Sequence, residues 1–172
     1  MAWRAKNCRM EGGDMAKALI VYYSRTGNTK RMAELVKQGM DSAGVEVDLR
    51  KVDEVKPEDL LGYDAIVMGS PTYYGNMAKE CKELLDESVK FHGKLDGKVG
   101  GAFSSAANIG GGNETTIVAI LQAFLIHGMI IQGDAKGDHY GPVSISAPDE
   151  RAEKECVRYG ERIGRLTRKL FG

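Results

Sequence analysis

The run Ser24-Arg25-Thr26-Gly27-Asn28-Thr29 sets three hydroxyls, a glycine and several backbone N–H groups just ahead of a helix-like pattern. Free N–H groups at a helix N-terminus form an anion nest, and the helix dipole adds to its pull. Such a nest can hold a dianionic phosphate without a lysine. Ser, Thr and Asn are also good helix caps, but a cap takes one such residue and this segment has a run of them. Competing phosphate motifs are missing. There is no GxxxxGK followed by Ser or Thr, and no GxGxxG follows the first strand. Where a phosphoacceptor aspartate would end the third strand, Gly69-Ser70-Pro71 stand instead.

Two further segments invite a ligand. In Ser70-Pro71-Thr72-Tyr73-Tyr74-Gly75-Asn76, Pro71 and Gly75 are expected to sharpen a turn. The two tyrosines between them suit stacking on a flat ring and bonding its edges. In Ser104-Ser105-Ala106-Ala107-Asn108-Ile109-Gly110-Gly111-Gly112-Asn113, small residues and glycines let backbone approach a ligand closely. As a bare connection, that loop would be long and exposed.

The elements that must position these segments alternate between short apolar, β-branched runs and helical patterns. Strands are expected at 18–23, 45–49, 64–69, 98–103 and 129–131, and helices at about 28–43, from about 77, 114–126 and 149–170. This order gives an α/β fold, a doubly wound five-stranded parallel sheet of order 2-1-3-4-5 with helices on both faces. Its ligands belong past the carboxyl ends of strands one, three and four, where the three segments fall. Residues 16–172 read as one domain. Residues 1–15 read as a peripheral leader, with the natural start expected near Met15.

Composition excludes several classes. Lys+Arg and Asp+Glu each total 24, so the chain lacks the basic excess of a nucleic-acid binder. No stretch reaches the apolar length of a membrane span. Cys8, Cys81 and Cys156 lie far apart without CxxC spacing, which disfavours metal and disulfide frameworks and fits a reducing cytoplasm. The helix from Thr115 to Ile126 is apolar almost all round, with Gln122 the main exception. A helix on the outside of a monomer should show a polar face, so a homo-oligomer, dimer or tetramer, is expected.

The run from Ile20 to Thr29, with Ala33 and Val36 after it, resembles the phosphate signature of flavodoxins, which bind flavin mononucleotide (FMN). Residues Ser70 to Met77, Gly111-Gly112-Asn113-Glu114-Thr115-Thr116 and His127-Gly128-Met129 resemble a narrower group, the WrbA-type NAD(P)H:quinone oxidoreductases. The resemblance spans about Ala18 to Leu170. It implies that Ser24, Arg25, Thr26, Gly27, Asn28 and Thr29 hold the FMN phosphate. It places Thr72, Tyr73 and Tyr74 on one side of the isoalloxazine and Ser105, Ala106, Ala107, Asn108 and Gly111 on the other, with Pro71, Gly75, Asn76 and Ser104 also binding the cofactor. It implies a catalytic place near the flavin for His127, a typically tetrameric assembly and NAD(P)H as reductant. The chain departs from that group in two places. Ser88 to Gly93 lacks the group's usual tryptophan, and Gln132 to Pro142 is shorter than usual.

Two functions remain from the sequence. One is an FMN-dependent oxidoreductase that takes hydride from NAD(P)H and reduces a quinone or similar acceptor. The other is an electron-transfer flavodoxin that shuttles electrons between protein partners. Hydride transfer needs an open flavin face, and Ser105-Ala106-Ala107-Asn108 brings no aromatic to cover one. The neutral net charge also favours the enzyme, since shuttles usually present acid to basic partners. The shuttle reading would place a local acidic patch around Asp134, Asp138, Asp149 and Glu150. His92, His139 and Tyr140 are candidates to line the substrate side, and Arg25, Lys30 and Arg31 to assist a 2′-phosphate.

Overall fold

The computed structural model describes residues 15–172. The expected leader and its Cys8 lie outside the described residues, apart from an exposed Met15. Strand β1 (Lys17–Tyr22) is apolar and buried from Ala18 onward, as a strand covered on both faces must be. Its side chains alternate between two cores. Leu19 and Val21 join Ile66, Met68, Ala102, Ile117 and Phe124 beneath α2 (Lys79–Glu87) and α3 (Asn113–Ile126). Ala18, Ile20 and Tyr22 join Met32, Val36, Val67, Phe103 and Tyr159 beneath α1 (Asn28–Ser42) and α4 (Glu150–Phe171). On that side the helices nearly touch: a Cβ on Gly160 would stand 2.1 Å from the Val36 carbonyl oxygen.

The sheet runs β2 (Glu46–Lys51), β1, β3 (Ala65–Tyr73), β5 (Val99–Ala106), β6 (Ile130–Ile131), all parallel. This is the expected doubly wound order, but with seven strands in place of five. A two-residue β4 (Asn76–Met77) folds back antiparallel on the end of β3, which delays the start of α2 to Lys79. The fifth strand is split. β6 pairs with the start of β5, and β7 (Val143–Ile145) pairs with its end. The connection between them is held as a turn of its own. Asp134 donates its N–H to the His139 carbonyl at 3.0 Å, and its carboxylate accepts the Lys136 N–H at 2.8 Å.

Strand β3 runs four residues, and β5 three residues, further than their apolar cores announce. Pro71, Thr72, Tyr73, Ser104, Ser105 and Ala106 are therefore strand residues, with Ser104 and Ser105 paired to Ser70 and Pro71. Pro71 does not shape the turn, which is made by Tyr74 and Gly75 alone. Among the described residues, no helix is long and apolar enough to cross a membrane.

Candidate functional site

At the end of β1, the Tyr23 N–H makes a last ladder bond to Gly69 O at 3.0 Å, and the chain then turns over Ser24 to Gly27. Ser24 Oγ accepts the Gly27 N–H at 3.1 Å, closing the turn from within. Gly27 is the N-cap of α1 with φ +95°, where an L side chain is strained, and no side chain caps the helix. The first helical bond is Arg31 N–H to Gly27 O at 2.9 Å. Among the described residues, the N–H groups of Arg25, Thr26, Asn28, Thr29 and Lys30 find no acceptor. The first turn also carries no acidic residue. Capping is thus not what these residues do. The loop presents five bare donors on the positive end of a helix, the form an anion nest takes.

The second segment ends as a two-residue hairpin. Tyr73 pairs with Asn76, and the turn residues Tyr74 and Gly75 both have positive φ, at 50° and 76°. Such twin left-handed values match the twist of the flanking strands. Tyr73 sets its ring edge-on to Tyr23, with centroids 6.3 Å apart, whereas Tyr74 projects fully into solvent.

The third segment leaves β5 after Ala106. Ala107, Asn108, Ile109, Gly110 and Gly111 are all exposed, and Gly112 caps α3 with φ +103°. Gly112 is where the second and third segments meet, since a Cβ there would stand 2.8 Å from Gly75 Cα.

A floor of hydroxyls ties the segments together. Thr29 Oγ1 lies 2.9 Å from Ser105 Oγ, and Thr72 Oγ1 lies 3.0 Å from Ser104 Oγ. Thr116 Oγ1 donates to Thr72 Oγ1 at 3.0 Å, and Asn113 Nδ2 donates to Ser144 O at 2.9 Å. Ser144 was not expected at the site from the sequence, and Asn113 and Thr116 stood in quoted segments without a role of their own. A hydroxyl and an amide directly after a helix-starting glycine were the available signal. The residues from Ser24 to Thr29, Pro71 to Asn76 and Ser104 to Gly111 are therefore gathered at one end of the sheet.

This arrangement has the parts of a phosphate-and-ring site, and the comparisons with known proteins give it a family. A flavodoxin domain model matches residues 19–107. The chain belongs to the flavodoxin family. A flavodoxin of Aquifex aeolicus is 42% identical over 158 residues, spanning 87% of this chain and 85% of that protein. A protein of Rhodopseudomonas palustris named NAD(P)H dehydrogenase (quinone) is 39% identical, spanning 92% of this chain and all of that protein. The crystal structure of a flavodoxin, WrbA-like protein from Agrobacterium tumefaciens superposes with a TM-score of 0.76 at 28% identity, covering 90% of this chain and 98% of that one.

Other residues singled out in this flavodoxin-family chain lie away from the three loops or are engaged elsewhere. His127 caps the C-terminal end of α3, whereas the three loops cluster around that helix's N-terminus. A helix of 14 residues puts about 20 Å between the two ends. The His127 ring is buried against Ser88 and lies 6.1 Å from the His92 ring, so neither histidine reaches the loops of its own chain. His139 Nδ1 is taken up by the Asp134 carbonyl at 2.7 Å, and Tyr140 is exposed. The acidic patch is largely neutralised. Asp134 pairs with Arg158 and Arg162, Asp138 with Arg151, and Glu150 with Lys154, while Asp149 caps α4. Arg31 is engaged by Glu153 at 2.8 Å and Lys30 lies 3.7 Å from Glu34, which leaves Arg25 as the cation of that group without an acidic partner among the described residues.

Proposed function

We propose that this protein is an FMN-dependent oxidoreductase that uses NAD(P)H to reduce a quinone or similar small acceptor. The observation that carries the cofactor is the set of five unpartnered N–H groups at the start of α1, in a loop with no capping side chain. In this reading Ser24 to Thr29 hold the phosphate, with Thr26 and the backbone as donors. Thr72, Tyr73, Tyr74, Gly75 and Asn76 flank the isoalloxazine on one side, and Ala107, Asn108 and Gly111 on the other. The buried hydroxyls of Ser104, Ser105, Thr29 and Thr72 fix the floor beneath it. Bound FMN supplies a ring nitrogen that accepts hydride and a ring system that passes electrons on.

Three observations favour the enzyme. The 107–111 segment is exposed and carries no aromatic ring, so a nicotinamide or quinone can stack where a shuttle would place a cover. Formal net charge is zero, and Asp134 and Asp138 are paired with arginines. Relatives at 32–39% identity are named NAD(P)H dehydrogenase (quinone). His127 has no part in the reaction within one chain. An oligomer remains part of this proposal, supported by exposed Leu125 and Ile126 on α3 and Ile130 beside them. A reducing cytoplasmic home fits the free, buried thiols of Cys81 and Cys156.

The second reading, an electron-transfer flavodoxin, draws on one feature. A cleft of about 790 Å³ beside Tyr73 is lined by Glu80, Glu83, Asp86 and Glu87 with Lys79 and Lys82 among them, a modest acidic excess that suits a basic partner. Anaerobic addition of NADH, then NADPH, to the FMN-loaded protein decides between them. Bleaching of the flavin band that a quinone reverses supports the enzyme. Tight FMN binding without bleaching transfers the reading to the shuttle.

A further inference from the structure

We infer that Thr115, to which the 111–116 motif assigns no role, is the positioning residue that latches the Tyr74 turn and thereby sets the Tyr74 ring at the mouth of the site. Tyr74 sits at φ +50°, one of two non-glycine residues with positive φ among the described residues. A bulky residue there is strained. Its ring is fully exposed, so no packing of the side chain offsets the strain. The turn must then be held by its backbone, and the holding contacts come from the start of α3. Thr115 Oγ1 donates to the Gly75 carbonyl at 2.7 Å, and the bare Gly112 Cα lets the two backbones close up.

The base of the hairpin is fixed separately. Thr116 binds Thr72 in the buried floor, and Tyr73 leans on Tyr23. What Thr115 controls is the tip alone. Its single proton has a second acceptor within reach, the Gly112 carbonyl at 2.9 Å in its own helical turn. When the tip swings out, the hydroxyl rotates to Gly112 and the Gly75 carbonyl goes to water, so neither group is orphaned. The latch is therefore light and reversible, as a group that must admit two flat substrates in turn requires. Its bearing on turnover rests on the oxidoreductase reading above; the latch itself does not.

Thr115→Val keeps the shape, removes the donor and sits on the exposed side of the helix. Hydrogen exchange of segment 72–77 in the protein without FMN should accelerate about fivefold, the equilibrium worth of one net hydrogen bond. Thr115→Ser should restore the wild-type rate. In FMN-loaded protein the valine variant should raise KM for the reducing nucleotide while kcat stays close to wild type, with serine again restoring it. Unchanged exchange in Thr115→Val overturns the latch. If exchange responds but neither NADH nor NADPH reduces the loaded protein, the latch stands and the oxidoreductase reading falls. If exchange responds and KM does not, the claim that Thr115 positions Tyr74 for the reaction is overturned.

Discussion

The hydroxyls of Thr29 and Ser105, 76 positions apart in the sequence, meet at 2.9 Å in the buried floor between α1 and β5. Thr29 is the first fully buried residue of the phosphate loop's helix, so this contact fixes the nest relative to the sheet. Removing one partner leaves the other hydroxyl buried and unpaired, which costs about 1–3 kcal/mol. Thr29→Val should lower stability in urea by that amount and weaken FMN binding roughly tenfold, since charge-assisted bonds depend on donor placement. Thr29→Ser should recover both. Valine at 29 with full FMN affinity in a fluorescence titration would separate this contact from the nest.

The sequence disclosed the sheet because β1, β3 and β5 are buried on both faces and must be continuously apolar. It disclosed the loop before α1 because a run of hydroxyls and a glycine there exceeds what one cap needs. The ends of β3 and β5 were hidden. Pro71 reads as a turn residue and Ser104 and Ser105 as loop, yet the parallel ladder carries them on because hydroxyl pairs satisfy their buried side chains. The split of the fifth strand was hidden as well, since it depends on Arg158 and Arg162 of a distant helix holding Asp134. That His127 lies at the far end of α3 from the loops of its own chain was hidden for a related reason. A histidine after a helix reveals its residue type, but which end of the sheet it reaches follows from strand direction.

His127 gives the fold a pH dependence whose sign follows from counting protons. The one hydroxyl proton of Ser88 goes to the Leu85 carbonyl at 2.6 Å, so His127 Nε2 must donate to Ser88 Oγ at 2.8 Å. Nδ1 is then a buried lone pair with no partner among the described residues. Burial first, and His92 second, hold the His127 pKa below its usual value. Above the unfolded pKa of about 6.5, neither state binds the proton. Below it the unfolded chain takes up a proton that the native ring refuses, so stability falls with pH. His127→Gln keeps an N–H for Ser88 without titrating. Its unfolding midpoint should decline less than wild type between about pH 7.5 and pH 5.5. Parallel declines would remove His127 as the source.

Asp134 works with the same sign in a more acidic window. Burial alone would raise its pKa, but the Lys136 N–H, Arg158 and Arg162 outweigh it and hold the carboxyl near about 2. Its stabilising effect is therefore full above the unfolded carboxylate value near 4 and is lost as pH falls through about 2. Asp134→Asn removes the charge while keeping an acceptor for Lys136. It should cost about 2.5 kcal/mol by linkage from that shift and expose the 132–142 connection to proteolysis, with β5 and β7 still paired. Resistance to nicking in that variant would mean that the Asp134–His139 backbone bond holds the connection unaided.

The open segment after β5 gives the sharpest test of why this chain should reduce small molecules. Asn108 is exposed, its neighbours Ala107 and Ile109 are exposed too, and none of the three is aromatic. A tryptophan at 108 has room to turn over the ring position without entering either core. If substrates stack there, Asn108→Trp should slow hydride transfer from NAD(P)H by at least about tenfold, because a near-attack geometry needs that face bare. FMN affinity should hold or rise, since the new ring adds stacking to the bound flavin. Stopped-flow reduction and a flavin titration on one preparation separate the two effects. Unimpaired reduction in a variant that binds FMN normally would place the substrate face on the Tyr73–Tyr74 side instead, where the turn held by Thr115 would become the gate to hydride transfer itself.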